Sequence, residues 1–462
     1  MNPITIPNIS IPTIGIPTIG IPSVGFPSAS GGGGLSWPAG MKEHIKAIYD
    51  PKKQGITNFD VIESYTEDFT TWRYLDSRGI ATITGSTIHI TEAKSIQGIV
   101  EDNKEPYSDI KILVQGVTAD NPLNVRDING TKAVIDKDGV YEFKDNGLYF
   151  GFGFSKVGVV DVTITQLPTS ILKDLSGNGN HAYLYGGKGK LNSGMGLYKV
   201  DFTSWRKSSV QTEVKPDVVK VTPNTSNYLF IQYANSVEIP SYKIKVIGLG
   251  DNVLKYQYAT ENGRKEINIV EGENELPTSI KVSNDYQIGY RLTPGTSVFT
   301  ITQIPDYPDQ LCYDGKMYAV CYGFPILTDY TVMADRTWFD KEEYSAFVSN
   351  SLGGMEEPGN GAFSVEVKSL DSFTVMSFGS LTSISTPKKG ITYQTKQSYN
   401  GISINVGTRE SNDVLTLGGR YYYKNDNNAG NLWNGCHGKI IIADRSFTED
   451  EITWLKDNWK KI

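Results

Sequence analysis

Residues 174–186 read DLSGNGNHAYLYG, an acidic turn rich in Gly and Asn that is followed by an alternating run. Asp and Asn side chains can hydrogen-bond to nearby backbone groups, and Gly and Asn tolerate positive φ. The run from His181 to Tyr185 alternates as a β-strand does. The stretch therefore predicts a tight turn that leads into a strand.

Matching segments lie near the C-terminus, at residues 415–419 (LTLGG), 435–443 (GCHGKIIIA) and 445–452 (RSFTEDEI). Together with residues 174–186 they resemble the two ends of the laminin G-like, concanavalin A-like jelly-roll domain. Residues 312–318 (CYDGKMY) resemble the Phe-Asp-Gly strand of that family. The resemblance implies two packed antiparallel sheets. About 240 residues separate the two ends, more than such a domain needs, so we expect an insertion.

The chain also contains an internal duplication, in which residues 215–305 repeat the pattern of residues 79–168. NGTKAVIDKDG at 129–139 matches NGRKEINIVEG at 262–272, and TITQLP at 163–168 matches TITQIP at 300–305. Short strands with frequent turn signals are typical of β-sandwiches. We therefore predict two copies of one small β-sandwich module.

The sequence thus predicts an all-β fold: a concanavalin A-like jelly roll interrupted by two small duplicated β-sandwich modules and preceded by an extended Pro/Ile-repeat arm. The predicted domains are an uncharged anchor arm with a Gly linker (1–34), a segment that could belong to the jelly roll (35–65), the first small β-sandwich (66–168), the start of the jelly roll (169–208), the inserted second β-sandwich (209–306), and the remaining jelly roll with a C-terminal helix (307–462).

The N-terminal arm has a strict proline period. Residues 1–41 carry no charge, and proline falls at 7, 12, 17, 22 and 27. Proline at this density excludes a helix, so we also expect no signal peptide. The isoleucine row is unlike a solvated linker, which favours an anchor over a disordered low-complexity tail. The predicted anchor residues are Ile6, Pro7, Ile11, Pro12, Ile16, Pro17, Ile21 and Pro22.

Charge and cysteine content exclude several classes of protein. The net charge of −7 argues against nucleic-acid binding through a basic face. No apolar run reaches about 18 residues, so we expect no membrane span. Cys312, Cys321 and Cys436 cannot all pair within one chain, and we expect buried free thiols.

Motifs of catalysis are missing from the sequence: there is no Gly-x-Ser-x-Gly, His-Glu-x-x-His, Walker loop or Cys-x-x-Cys. His44, His89, His181 and His437 are too scattered to define a metal site. His89 is interpreted as a solvent-face residue of a strand, and His181 and His437 are interpreted as structural. We therefore predict that the chain is not an enzyme and uses neither a metal nor a cofactor.

Residues 421–433, YYYKNDNNAGNLW, are the best candidate for ligand binding. Aromatic rings can stack on sugars, and Asn and Asp can bond hydroxyls or an oxygen-ligated cation. The alternative is a polar hairpin loop with core aromatics at its base. The predicted glycan-binding residues are Tyr421, Tyr423, Asn425, Asp426, Asn428 and Trp433.

DLSGNGN, the small inserted modules and DPKKQGITN at 50–58 resemble virion proteins of tailed phages of gut Bacteroidetes, including crAss-like phages. The resemblance covers roughly residues 45–462 and implies a virion location, as a head fibre, tail fibre or other capsid-surface protein. We expect a homotrimer that attaches to other virion proteins through residues 1–34 and displays its β-domains to host-surface glycans. The alternatives are a bacterial glycan-binding adhesin and a polysaccharide depolymerase.

Overall fold

A computed structural model describes the chain over residues 35–56, 69, 81–84, 86–93, 96–99, 110–127, 130–143, 149–187, 191–207, 211–223, 228–339, 345–351, 361–369, 372–385, 389–422 and 428–462. These residues are arranged almost entirely in antiparallel sheets. Helical structure in the described ranges includes α1 (Glu449–Asn458) and short 3₁₀ turns at Lys42–His44, Pro51–Lys53 and Phe202–Ser204. The predicted all-β fold is confirmed.

The first half of the chain forms β1 alone, then nine strands of a first small module, then three further strands. These are β1 (Ile45–Tyr49); β2 (Ala81–Thr84), β3 (Thr87–Glu92), β4 (Ile96–Ile99), β5 (Ile110–Gln115), β6 (Leu123–Asp127), β7 (Gly130–Ile135), β8 (Gly139–Phe143), β9 (Tyr149–Phe154) and β10 (Val159–Gln166); and β11 (Ile171–Leu172), β12 (Ala182–Tyr185) and β13 (Gly194–Leu197).

The second half begins with ten strands of a second small module. These are β14 (Arg206–Lys207), β15 (Gln211–Val214), β16 (Val218–Thr222), β17 (Tyr228–Tyr233), β18 (Tyr242–Ile247), β19 (Val253–Thr260), β20 (Gly263–Ile269), β21 (Gly272–Leu276), β22 (Gln287–Thr293) and β23 (Phe299–Ile304).

The remaining strands precede helix α1. They are β24 (Asp306–Asp314), β25 (Tyr318–Tyr322), β26 (Thr331–Trp338), β27 (Ala346–Ser351), β28 (Gly361–Ser369), β29 (Ser372–Ser377), β30 (Ser380–Ile384), β31 (Lys389–Thr395), β32 (Ser398–Tyr399), β33 (Ile402–Ser403), β34 (Val414–Leu417), β35 (Arg420–Tyr422), β36 (Asn428–Gly430) and β37 (Asn434–Ala443).

Two large sheets form the jelly roll. One has the order β13-β24-β37-β26-β31-β32-β33, with β1 paired to β37, and the other has the order β11-β12-β25-β34-β27-β28-β29-β30. A single buried cluster draws side chains from both sheets, among them Tyr49, Leu184, Tyr313, Phe363 and Trp433. The two sheets therefore enclose one core, as in a sandwich of antiparallel sheets.

The two small modules have the same strand order, and this confirms the predicted duplication. In the first module β2-β3-β10-β5-β8 faces β4-β9-β6-β7; in the second, β15-β16-β23-β18-β21 faces β17-β22-β19-β20, with β14 added beside β17. Each module encloses its own hydrophobic cluster. Strand Tyr242–Ile247 shows why the strands form, because its residues are alternately buried and exposed, with Tyr242, Ile244 and Val246 inside.

One contact is repeated at the same place in both modules. The Asp138 carboxylate accepts the backbone N–H of Val117, and the Glu271 carboxylate accepts those of Gly248 and Leu249. Residues 136–139 have the composition of a hairpin turn, but they do not form one. β7 pairs with β6 and β8 pairs with β5, so the turn passes from one sheet of the module to the other.

Both modules lie between strands of the large sheets. β1 precedes the first module and β11 follows it, whereas β13 precedes the second module and β24 follows it. Within the segment 35–65, Ile45–Tyr49 is a strand, and its register with β37 joins Tyr49 to Ile440. This segment could not be recognised as a strand because its partner lies almost 400 residues away in the sequence.

The acidic turn at 174–186 holds β1 in place. The Asp174 carboxylate accepts the backbone N–H of Ile48, Ser176 and Asn180 at 2.8 to 3.1 Å. Asn180 Nδ2 donates to the backbone carbonyl of Lys46 at 2.7 Å, and the Tyr49 hydroxyl donates to the carbonyl of Asn180 at 2.6 Å. The predicted turn and strand are confirmed, and the polar side chains of the turn serve the backbone of β1.

Helix α1 is the predicted C-terminal helix, and it begins with a side-chain cap. Thr448 Oγ1 accepts the N–H of Glu451, and the Glu451 carboxylate accepts the N–H of Thr448, which is a complete capping box. Phe447 and Ile452 are both buried in one cluster with Trp459. This cluster lies against the outer side of the β1-β37-β26 sheet, since it also contains Met333 and Ile441.

Candidate functional site

Part of the predicted glycan-binding stretch forms a two-stranded hairpin beside strands β27 and β34 of the jelly roll. β35 and β36 pair antiparallel, with Tyr421 opposite Ala429 and Tyr422 opposite Asn428. The backbone of Tyr421 and Asn428 therefore belongs to the same hairpin. The predicted residues Tyr423, Asn425 and Asp426 lie outside the described residues, so their binding role stays a prediction.

Trp433 is not part of a binding surface, and its assignment as a glycan-binding residue is wrong. Its side chain is 0% exposed. Its ring lies 4.7 Å from that of Phe347, 5.3 Å from that of Tyr313 and 5.5 Å from that of Trp338. An indole enclosed on several sides offers no face to a sugar. Trp433 is a core aromatic at the base of the hairpin, which was the alternative interpretation.

The backbone below the hairpin is fixed by contacts with neighbouring strands. The N–H of Ala346 donates to the Asn431 carbonyl at 2.7 Å, and the N–H of Trp433 donates to the Gly418 carbonyl at 3.0 Å. Gly418 has φ +75°, and a Cβ there would lie 2.3 Å from the Tyr313 ring. The base of the hairpin is therefore rigidly packed.

A row of tyrosines on the neighbouring sheet is also closed to ligands. The rings of Tyr185 and Tyr318 stack at 5.2 Å with an interplanar angle of 16°. Both residues share a buried cluster with Leu113 and Leu167 of the first module. Lys111 Nζ of the same module lies 5.2 Å above the ring of Tyr183. The first module packs on this row, so the row joins two parts of the chain.

The histidines have structural contacts. His181 Nδ1 accepts the N–H of Asp174 at 3.0 Å, and burial lowers the pKa of His181. His437 is completely buried; its Nδ1 lies 2.6 Å from the Gly438 carbonyl and its Nε2 lies 2.9 Å from the Tyr313 hydroxyl. These partners place the proton on Nδ1, so that Nε2 accepts from Tyr313. Burial lowers the pKa of His437 to about 4.

The described ranges contain no group of three His, Cys, Asp or Glu side chains that could hold a metal ion. Cys312, Cys321 and Cys436 are free and buried, as predicted. No helix among the described residues is long and apolar enough to cross a membrane. The predicted anchor residues, from Ile6 to Pro22, lie outside the described residues.

The second module also contains a concavity that the sequence did not predict, and we call it the Arg264 concavity. It has a volume of about 590 Å³ and is lined by Tyr233, Arg264, Asp285, Tyr286 and Gln287. Two aromatic rings beside an Arg, an Asp and a Gln are the mixture that favours polar ligands with apolar faces. One difference between the two modules could have pointed to this concavity. At the variable position of the duplicated motif Asn-Gly-x-Lys, the first copy has Thr131 and the second has Arg264.

No known protein family matches the chain, and no curated protein matches it. Among solved structures, Trypanosoma rangeli sialidase in complex with sialic acid is 9% identical, covers 82% of this chain and 83% of its own, and has a TM-score of 0.24. The same sialidase with the inhibitor DANA is 9% identical, covers 89% and 93%, and has a TM-score of 0.23. A third complex, with 2,3-difluoro-KDN, is 8% identical, covers 86% and 85%, and has a TM-score of 0.25.

The similar solved structures are sialidases, and against this finding the prediction that the chain is not an enzyme is not kept. The finding assigns no activity to this chain. TM-scores of 0.23 to 0.25 carry no argument about the reaction itself. What the sequence and structure establish together is an all-β chain of three sandwich cores.

Proposed function

We propose that this chain is a surface protein of a tailed-phage virion, a head fibre, tail fibre or other capsid-surface appendage. The arm at residues 1–34 anchors it to the capsid or tail, and the β-domains are displayed outward to host-surface glycans. A homotrimer is the assembly that this role favours.

The observation that carries the proposal is the joining of two unlike parts in one chain. The first part is an uncharged arm with proline every five residues from 7 to 27, which ends in four glycines at 31–34. The second part is a large body of antiparallel sheets that begins within about fifteen residues of those glycines. We infer from the sequence that the apolar arm uses a groove or sister chains to cover its isoleucines, because proline at this density does not allow a helix.

The body supplies the display end. Two modules lie between strands of the jelly roll, where insertions at exposed loops bury little backbone and are tolerated. The β35–β36 hairpin contains Tyr421 and Asn428, and Tyr423, Asn425 and Asp426 lie between its two strands in the sequence. These five residues remain the proposed glycan contacts.

Immunogold labelling tests the virion location directly. Antibodies raised against residues 35–462 are applied to purified virions of a phage that encodes this chain and to uninfected host cells. Label on heads or tails supports the proposal and distinguishes the two positions. Label on uninfected cells with none on virions would overturn it in favour of a bacterial adhesin.

Adsorption and polysaccharide cleavage are measured in parallel. Purified full-length chain is expected to compete with phage adsorption to host cells. Incubation of host capsular polysaccharide with the chain, followed by size exclusion of the products, tests for a depolymerase. If the polysaccharide is shortened, the β-domains cleave glycans, and the proposed role in display and binding is wrong.

A further inference from the structure

The Arg264 concavity lies at one end of the β17-β22-β19-β20 sheet of the second module. Tyr233 and Gln287 are direct partners in the register of β17 and β22. Asp285 and Tyr286 immediately precede β22, and Arg264 is the second residue of β20. Three separate segments of the chain thus converge on one concave surface.

The walls of the concavity are fixed without a ligand. The N–H of Ala234 donates to the Tyr286 carbonyl at 2.9 Å, and the N–H of Val282 donates to the Ala234 carbonyl at 3.0 Å. Arg206 Nη1 donates to the Tyr233 hydroxyl at 2.7 Å, which holds the phenol end of that side chain. Aromatic walls that are already in position lower the entropy cost of binding.

The charged groups of the concavity are open to a ligand. Arg264 and Asp285 are exposed, and neither side chain has a hydrogen bond or ion pair with another described residue. A guanidinium offers parallel N–H donors that match a carboxylate, and a carboxylate accepts hydrogen bonds from hydroxyl groups. The presence of both Arg264 and Asp285 in the lining therefore fits a ligand that carries both a carboxylate and hydroxyls.

The volume of the Arg264 concavity and its two tyrosine rings also indicate the class of ligand. A volume of about 590 Å³ falls within the range of roughly 300–1,000 Å³ of small-molecule sites. The faces of Tyr233 and Tyr286 can pack against the C–H faces of sugar rings. Their hydroxyls accept hydrogen bonds from Arg206 Nη1 and Asn284 Nδ2, which keeps the polar ends of both rings satisfied.

The fold does not require Arg264. The first module forms the corresponding β6–β7 hairpin with Thr131, which pairs with Arg126, at the position where Arg264 pairs with Ala259. Because the equivalent hairpin of the first module forms with threonine at this position, the exposed Arg264 has no evident role in folding.

We propose that the Arg264 concavity binds an acidic oligosaccharide, a short chain of sugars that bear carboxylates. Arg264 holds a carboxylate of the ligand, Asp285 and Gln287 bond its hydroxyls, and Tyr233 and Tyr286 pack against its rings. The inference rests on the proposed function in that it names the ligand class for the displayed body.

The test is titration calorimetry of the full-length chain with tetragalacturonate as the acidic probe and maltotetraose as the neutral probe. Wild type is expected to bind the acidic probe at least about tenfold more tightly than the neutral one, since charge-assisted hydrogen bonds exceed neutral ones. Arg264→Thr uses the residue of the first module and is expected to weaken acidic binding at least about tenfold. Lys265→Gln is the control, because it removes one positive charge from the next residue in the sequence, which does not line the concavity. This variant should change the affinity for the acidic probe less than about twofold.

Arg264→Lys keeps the charge and removes the paired donors, so it is expected to fall between wild type and Arg264→Thr. This second variant decides the question if Arg264→Thr does not fold, as judged by its melting temperature. Equal binding of both probes, unchanged binding by Arg264→Thr and Arg264→Lys, or no binding of tetragalacturonate by wild type would each overturn the site. Because labelling of virions is measured separately, failure of this site and failure of the virion location are distinguishable.

Discussion

The Asp174 Oδ1 atom accepts the backbone N–H of Ile48 at 2.9 Å, although 126 residues separate the two in the sequence. Those residues include the whole first module, so the bond ties the strand before the module to the turn after it. Ser176 Oγ and Asn178 Nδ2 also donate to the backbone carbonyls of Lys46 and Ile45. The acidic turn therefore closes the base of the inserted module and fixes β1 on the jelly roll.

Replacing Asp174 should destabilise this closure. Asp174 is buried, and its carboxylate accepts four hydrogen bonds, from three backbone N–H groups and the Ser176 hydroxyl. We expect Asp174→Ala to cost about 2–4 kcal/mol, because the donors lose their partner in a buried place. Differential scanning calorimetry and hydrogen exchange at Ile48 measure the loss.

Asp309→Asn is the matched control for Asp174→Ala. The Asp309 side chain is 57% exposed and pairs with Lys52 on the surface, where ion pairs contribute little, at most about 1 kcal/mol. If Asp174→Ala has the melting temperature of the wild type and the same hydrogen-exchange rate at the Ile48 N–H, Asp174 does not close the base of the module.

The jelly roll should lose stability in mild acid because of His437. Burial lowers the folded-state pKa of His437 to about 4, whereas the pKa in the unfolded chain is about 6.5. The unfolded state therefore binds the proton first. The contribution of neutral His437 to the free energy of unfolding is fully present above about pH 6.5 and is lost progressively as the pH falls. By about pH 4 the free energy of unfolding is lower by about 3 kcal/mol.

Thermal melts of wild type and His437→Gln between pH 7.5 and pH 4 test this. The variant should be less stable at neutral pH but should show a shallower fall in melting temperature toward acid. His181, whose pKa is also lowered by burial, contributes in the same direction, so His181→Gln is compared alongside. Parallel pH profiles for wild type and His437→Gln would show that His437 does not titrate as expected.

Equivalent glycines of the two modules should be equally intolerant of a side chain. Gly116 and Gly248 both have φ +84°; a Cβ at Gly116 would lie 2.0 Å from the Asp161 carbonyl oxygen, and one at Gly248 would lie 2.8 Å from that of Val298. We expect Gly116→Ala and Gly248→Ala each to lower the free energy of unfolding by more than about 2 kcal/mol.

Gly55→Ala separates backbone strain from collision, because Gly55 has φ +61° and nothing within 4 Å of its Cβ position. Its cost should be about 1–2 kcal/mol. Melting curves are compared for all three variants. If Gly116→Ala is no worse than Gly55→Ala, the close approach to Asp161 is not a real constraint.

Removal of the arm should separate assembly from folding. Light scattering after size exclusion is compared for the full chain and a variant that begins at Leu35. A full-length trimer that becomes a monomer on truncation is the expected result, because the isoleucine row needs sister chains to cover it. Two monomers would contradict self-intertwining and assign the arm to a separate partner. Two trimers would show that the β-domains hold the assembly, leaving the arm as the virion anchor.

Features that depend on neighbours in the chain could be predicted from the sequence. The turn at 174–186, the β2–β3 hairpin and the capping box of Thr448 and Glu451 all use bonds between residues a few positions apart. The duplication could be predicted because identical spacing between residues 129–139 and 262–272 is itself a sequence property.

Only the tertiary structure decided what depends on residues distant in the chain. A Trp in a polar loop looks like a sugar platform until Phe347, Tyr313 and Trp338 are found around it. Strand β1 has no partner until β37 is placed beside it. The Arg264 concavity needs three segments at one sheet end, which no local pattern records. Burial and convergence are properties of the packed chain, because each residue's exposure is set by residues that the sequence places far away.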